Sequence, residues 1–215
     1  MIRRRYAQRE ASGLRRWRDV SMRLAPSWLR SLAWLARSRA AREDARHELR
    51  RRLRGEPRLP EGPLRRVLVL CHGNICRSPF AAALLGARLP ALEVRSAGLA
   101  AGADNPADPS AMRCADRHGV SLAAHRSTRA TCAGLAWADL VLVMQGSQLC
   151  AIEREWPHLR SRVRLLGDFL SAPPFLLPDP WGEDDRVFQQ VFSRVATAIE
   201  NLAQRIEAKR SVSGS

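Results

Sequence analysis

The sequence has few cysteines, almost no lysine and no long apolar run, and each shortage excludes something. Five cysteines in 215 residues are too few for the disulfide framework of a small secreted protein, and they point to a reducing, cytoplasmic setting. No segment approaches the ~18 consecutive apolar residues that a membrane-spanning helix needs. Of 36 basic residues only Lys209 is a lysine. Beside so much alanine and leucine, that skew reflects a G+C-rich genome rather than a need for guanidinium chemistry at each site. Acidic residues number only 21, leaving a formal charge of +15. What is present suffices for a fold. With 46% apolar and 27% charged residues, the chain can bury a core and is not disordered throughout. Its length suits one domain of ~100–150 residues and an appendage.

The charge is concentrated. Residues 1–66 carry +13 and residues 67–215 only +2, so a nearly neutral body bears a basic arm over 1–55. In the arm Leu24, Trp28, Leu32 and Leu35 recur at helical spacing, with Leu29 and Trp34 widening the face and Arg23, Arg30 and Arg37 elsewhere. A second basic helix is expected from Ala40 to Arg54, stopped by Gly55 and Pro57. The stretch 56–64 reads as a proline-rich linker. An apolar face opposite arginines suits a helix lying on an anionic membrane surface, which would place residues 1–54 peripherally at a membrane. A solvated extension, or a helix packed on the body or on a partner, is the plainer reading, and nucleic acid is the less favoured partner. Arginines interrupt any apolar core of a secretory signal. The arginine content resembles a transit peptide, but acids intervene and no cleavage site stands out.

Beyond the linker, strands alternate with helices. Val67–Leu70, Val94–Ala97, Leu140–Met144 and Val163–Leu166 read as strands, the third the clearest buried one. Helices are expected from about Ser78, over Pro109–His118, and from Asp184 to about Lys209, the last with Phe188, Val191, Val195, Ile199 and Leu202 on one face. This order implies an α/β fold with a doubly wound, four-stranded parallel sheet and helices on both faces, preceded by the basic helical extension. Ligands of such sheets bind beyond the carboxyl ends of the strands. The first strand ends at Cys71.

There the segment Cys71-His72-Gly73-Asn74-Ile75-Cys76-Arg77-Ser78 sets a cysteine at a strand end and an arginine six positions on, just before a helix. A loop bent around a helix N-terminus aims backbone N–H groups at one spot and adds the positive end of the helix dipole. A phosphate dianion fits that cradle, and the planar fork of Arg77 can grip two of its oxygens. The same field favours a thiolate, which makes Cys71 a candidate nucleophile. Gly73 permits close backbone approach, and Asn74 tolerates a positive φ. The plainer reading of Cys71 is a buried structural thiol. The Cys71/Cys76 spacing could suggest a metal, but no second cysteine or histidine pair completes a tetrahedral set.

The run Cys71 to Pro79 resembles, in full, the C-x-G-N-x-C-R-S-P signature of the low-molecular-weight protein tyrosine phosphatase family, whose sheet is flavodoxin-like. Further similar pieces follow in order: Ser96-Ala97-Gly98, His118-Gly119-Val120, His125-Arg126-Ser127, Ala138-Asp139-Leu140 leading to Met144, and Asp179-Pro180-Trp181. The resemblance spans about residues 65–206 and implies a phosphatase domain over 65–208, with 209–215 as a disordered tail. It implies that Cys71 forms a phosphocysteine, and that Arg77 and the loop N–H groups stabilise the transition state. It further implies that Asp179 acts as general acid and then base, that Ser78 donates to the Cys71 sulfur, and that Asn74 holds the loop. Trp181 would stack on the phosphotyrosine ring, and Cys76 could trap an oxidised Cys71. His72 and Ile75 complete the phosphate-binding loop. No cofactor or metal is implied. The partners implied are phosphotyrosine proteins, a bacterial tyrosine kinase of exopolysaccharide production among them.

Some positions depart from the family pattern. Ala82 and Gln145 stand where acids are usual, and Gly98–Ala107 lacks the usual aromatic or histidine. Arsenate reductases share the loop but relay oxidation through two nearby cysteines, whereas Cys114, Cys132 and Cys150 lie eighteen residues apart in succession. Protein arginine phosphatases typically carry threonine where Ile75 stands. Cys114, Cys132 and Cys150 read as core or helix residues, and His118 and His125 as helix-end and turn residues.

Overall fold

The computed structural model describes residues 38–213. The apolar face expected around Trp28 lies outside the described residues. The chain divides between Arg42 and Glu43, and the whole sheet belongs to the unit from Glu43 onward.

Four strands, β1 (Arg66–Cys71), β2 (Glu93–Gly98), β3 (Leu140–Val143) and β4 (Val163–Leu165), form one parallel sheet in the order β2-β1-β3-β4. The expected strands are all present, with ends shifted by a residue. Alternation in β1 and β3 divides the core. Val67, Val69, Leu140 and Leu142 face one layer, where α2 (Arg77–Arg88), α3 (Pro109–Arg117) and α6 (Asp185–Ser213) pack through Phe80, Ala111, Phe188 and Phe192. Leu68, Leu70, Val141 and Val143 face the other, against α4 (Cys132–Trp137) and α5 (Gly146–Glu155) through Leu135 and Ile152. A sheet buried on both sides reads as continuous apolar runs. The chain leaves β1 toward β2 on one side and returns to β3 on the other, so the strand order reverses beside Cys71. Such a switch point opens a crevice at the strand ends.

Asp139 joins the opposite ends of β1 and β3. Its carboxylate accepts from the Arg65 and Arg66 N–H groups at 3.0 and 2.9 Å and from the Arg66 guanidinium at 3.1 Å. Burial alone would raise this carboxyl, but those donors outweigh it and hold it below its ordinary value.

Two boundaries differ from expectation. Helix α6 continues to Ser213, so residues 209–213 are helical where a disordered tail is expected; Lys209 and Arg210 donate to the carbonyls of Pro60 and Leu64. Helix α1 (Arg39–Arg54) forms as expected, but from Glu43 on it belongs to the unit that holds the sheet. Residues 56–64 therefore run along this unit, with Pro60 buried and the Pro57 carbonyl accepting from Arg205. The stripe of α1 that docks is polar: Asp44, His47, Glu48 and Arg51. Leu49 and Leu53 stand exposed instead. Among the described residues no helix is long and apolar enough to cross a membrane.

Candidate active site

The loop between β1 and α2 wraps around the Cys71 sulfur. Asn74 N–H donates to Sγ at 3.2 Å, and Ser78 Oγ lies 3.0 Å from it. Ser78 accepts from Asn74 Nδ2 at 2.9 Å, so its single proton goes to the sulfur or to the Ala97 carbonyl at 3.4 Å. The sulfur is the nearer acceptor. Cys76, the N-cap residue of α2, makes no capping bond with its own side chain.

Asn74 is the keystone of the loop. It sits at φ 54, in the left-handed region that asparagine tolerates, and is fully buried. Its Nδ2 also donates to Ser96 Oγ at 2.9 Å, its Oδ1 accepts from Thr128 N–H at 2.9 Å, and its backbone carbonyl meets His125 Nε2 at 2.7 Å. His125 therefore reaches the loop from afar, beyond what its reading as a turn residue implies. The tightest glycine in the chain's own packing near the loop is Gly98. A Cβ there would come within 2.7 Å of the His72 carbonyl oxygen and 2.9 Å of Asn74 N, while at Gly73 it would meet nothing nearer than Ile75 at 3.6 Å. The Ser96-Ala97-Gly98 piece thus supplies a hydroxyl to hold Asn74 and the space to close the loop.

Arg77 is 1% exposed. Its Nη1 donates to the Leu177 carbonyl at 2.9 Å and to Gln145 Oε1 at 3.2 Å. Nη2 lies 2.5 Å from Asp179 Oδ2, yet Nη2 and Nε are buried without an acceptor in hydrogen-bonding geometry. The ion pair is close but misaligned, and the guanidinium keeps donors to spare. Gln145 was not among the expected site residues. Only the fold, by ending β3 beside Cys71, brings it to the arginine.

Asp179 and Trp181 share an exposed turn. The Asp179 carboxylate accepts from Trp181 N–H at 3.3 Å, and Glu183 N–H closes the turn on the Pro180 carbonyl at 3.0 Å, with Gly182 at φ 82. Cys76 is buried; burial first, then the neighbouring acids Asp108 and Asp179 and the Cys71 sulfur, pushes its thiol far above the ordinary value. His72 is exposed and Ile75 half-buried. All five cysteines are free, with Cys114 buried, Cys150 partly so and Cys132 exposed at the start of α4. His118 ends α3 and packs edge-on against Phe80. Among the described residues no cluster of three or more histidine, cysteine or acidic side chains could hold a metal ion.

Residues 66–212 match the model of the family described as low molecular weight phosphotyrosine protein phosphatase. The chain belongs to that family. It is 36% identical over 145 residues to the probable low molecular weight protein-tyrosine-phosphatase EpsP of Ralstonia nicotianae, covering 67% of this chain and 98% of the relative. The crystal structure of the tyrosine phosphatase Wzb from Escherichia coli K30 in complex with sulphate superposes with a TM-score of 0.63 at 38% identity, over 66% of this chain and 97% of that one. The YwlE arginine phosphatase from Geobacillus stearothermophilus superposes with a TM-score of 0.64 at 32% identity, over 69% and 96%. Helix α1 precedes the matched residues.

Proposed function

We propose that the chain is a cysteine-dependent protein tyrosine phosphatase working through a phosphocysteine. The observation that carries this reading is the meeting of Cys71 Sγ, with Ser78 and Asn74 placed to donate to it, and a buried Arg77 whose Nε and Nη2 lack acceptors. A phosphate bound in the loop would satisfy those donors and set its phosphorus before the sulfur. Attack forms the S–P bond and breaks the P–O bond to the phenol, while Asp179 gives its proton to the leaving oxygen. Water then forms a new P–O bond, the S–P bond breaks, and Asp179 takes the water's proton. The Ser78 hydroxyl eases the departure of the thiolate, and Arg77 with the loop N–H groups holds the equatorial oxygens in both steps.

Phosphotyrosine is favoured over phosphoarginine by the apolar Ile75 in the loop and by Trp181, 66% exposed beside Asp179, where an aryl ring can stack. A tyrosine-phosphorylated bacterial kinase, implied by the family resemblance, is the first protein substrate to assay. Hydrolysis of phosphotyrosine, phosphoarginine and arsenate-coupled turnover by the wild-type chain and by Cys71→Ser is the test. The expected result is phosphotyrosine hydrolysis lost in Cys71→Ser; full activity in that variant, or a preference for phosphoarginine or arsenate, would contradict the reading.

A second reading concerns location. Leu49 and Leu53 are 57% and 76% exposed on α1, alongside exposed Arg46, Arg50 and Arg54. Apolar side chains amid arginines match an anionic lipid surface, and this face supports peripheral membrane binding. Co-sedimentation of the full chain with anionic vesicles should fall on Leu49→Ser/Leu53→Ser; binding that is absent, unchanged by the substitutions, or transferred to nucleic acid would overturn it.

A further inference from the structure

Helix α1 lies outside the matched residues 66–212, yet it meets the candidate site at Gln145. The Gln145 amide is polarised between two charges: Oε1 accepts from Arg77 Nη1 at 3.2 Å, and Nε2 faces Asp44 Oδ2 at 3.4 Å. An amide offers one acceptor end and one donor end, so a carboxylate at Nε2 decides that the oxygen faces the guanidinium. Asp44 is itself fixed. It is 3% exposed, and its Oδ1 accepts from Ser147 N–H at 2.6 Å in the first turn of α5. Gln145, the N-cap residue of α5, makes no capping bond with its own side chain, so Asp44 serves as a cap supplied by another helix. Burial is the larger influence on the Asp44 carboxyl and raises it above its ordinary value; the Ser147 and Gln145 donors pull the other way.

The backbones leave no slack. A Cβ at Gly146 would lie 2.7 Å from His47 Cβ, 3.1 Å from the Glu43 carbonyl oxygen and 3.2 Å from Asp44 Cα, so α1 rests directly on the start of α5. Farther along, His47 meets the Asp168 carboxylate at 2.9 Å, Arg51 donates to the Asp168 carbonyl at 2.8 Å, and Glu48 accepts from Phe175 N–H at 2.7 Å. Those contacts pin the segment that leads to Leu177, whose carbonyl is the other acceptor of Arg77 Nη1. Both acceptors of that nitrogen thus hang from segments that α1 holds.

We propose that Asp44 is a positioning residue for Arg77, acting through the Gln145 amide. The helix before the family domain is then part of the phosphate site's support. Asp44→Asn keeps the shape and reverses one end. Its oxygen still accepts from Ser147, so its NH₂ meets Gln145, whose amide turns and presents a donor to the arginine. Asp44→Asn/Gln145→Glu restores the sense of every bond, because the new carboxylate accepts from both the asparagine amide and the guanidinium.

The inference rests on the phosphatase reading only for turnover, so binding of inorganic phosphate by calorimetry is measured beside hydrolysis of p-nitrophenyl phosphate, on full-length chains. Asp44→Asn is expected to weaken phosphate binding about tenfold and to lower kcat/KM similarly, the effect of losing one charge-assisted hydrogen bond. The double substitution should return both to within about threefold of wild type, which a merely structural loss would not do. Phosphate binding unchanged in Asp44→Asn, or no better in the double variant than in the single, would overturn the role of Asp44. No turnover by the wild-type chain would defeat the phosphatase reading instead, and phosphate binding would still decide the role of Asp44.

Discussion

The loop around Cys71 and the turn at Asp179 are built to opposite standards. In the loop Asn74 and Ser78 are fully buried and Arg77 is 1% exposed, and the Asn74 side-chain amide alone contacts Ser78, Ser96 and Thr128. In the turn the Asp179 side chain is 39% exposed and Trp181 66%, and the ties to the rest of the molecule are few. The difference follows from what each must do. A site for a dianion gains most from donors fixed before the ligand arrives. A group that delivers a proton to one oxygen and takes it from another needs access to solvent and freedom to adjust. Substitutions in the loop should therefore act on every substrate alike, and substitutions in the turn should depend on the leaving group.

The largest effect should come from Arg77→Lys, which keeps the charge and removes the planar fork. A fall in kcat of about 10³-fold is expected for all aryl phosphates, measured by initial rates; a loss of less than tenfold would break the claim that the fork is essential. Asp179→Ala should lower kcat by about 10²-fold or more for phenols that leave poorly, and by much less for p-nitrophenol, whose departure needs little protonation. A uniform loss across leaving groups would erase the distinction between loop and turn. Gly98→Ala should destabilise the chain by ~1–3 kcal/mol, the usual range for forced overpacking, since its methyl meets the backbone of His72 and Asn74. Thermal unfolding and phosphate affinity should fall together. Trp181→Ala should change little but KM for phosphotyrosine peptides, by a few-fold, the scale of one lost ring stacking, with inorganic phosphate bound as before.

What the sequence made legible obeys the same divide. The loop is written in consecutive residues, so the Cys71–Ser78 spacing, the strand before it and the helix after it could be read directly, and Asn74 takes the positive φ that its type allows. The inner strands β1 and β3 were legible because buried strands are continuous apolar runs, while β2 at the sheet edge is polar and half exposed. Gln145 and His125 were not legible, since they reach Arg77 and Asn74 only through the fold. Helix α1 was expected, but its docking face was not legible, for another reason. A helix normally declares its docking face by apolar periodicity, but here the docked stripe is Asp44, His47, Glu48 and Arg51, and the leucines face outward. Such a helix can equally be read as a solvated extension or as packed on the body, until the acceptors it meets are known. The six-residue α4 gave too few turns to announce itself, and α5, though as long as α3, lacks the aspartate cap and the proline with which α3 opens.

In the proposed mechanism Cys71 carries phosphorus between the two steps. It is tested most directly by quenching Asp179→Ala in alkaline denaturant, where an S–P bond survives, during turnover of p-nitrophenyl phosphate, whose phenol leaves without the acid, and locating the phosphoryl group by mass spectrometry. In that variant the water attacking the intermediate has lost its base, so a phosphorylated Cys71 should accumulate within the first turnover. Turnover with Cys71 unmodified at every quench time, or phosphorus found on another side chain, would contradict it.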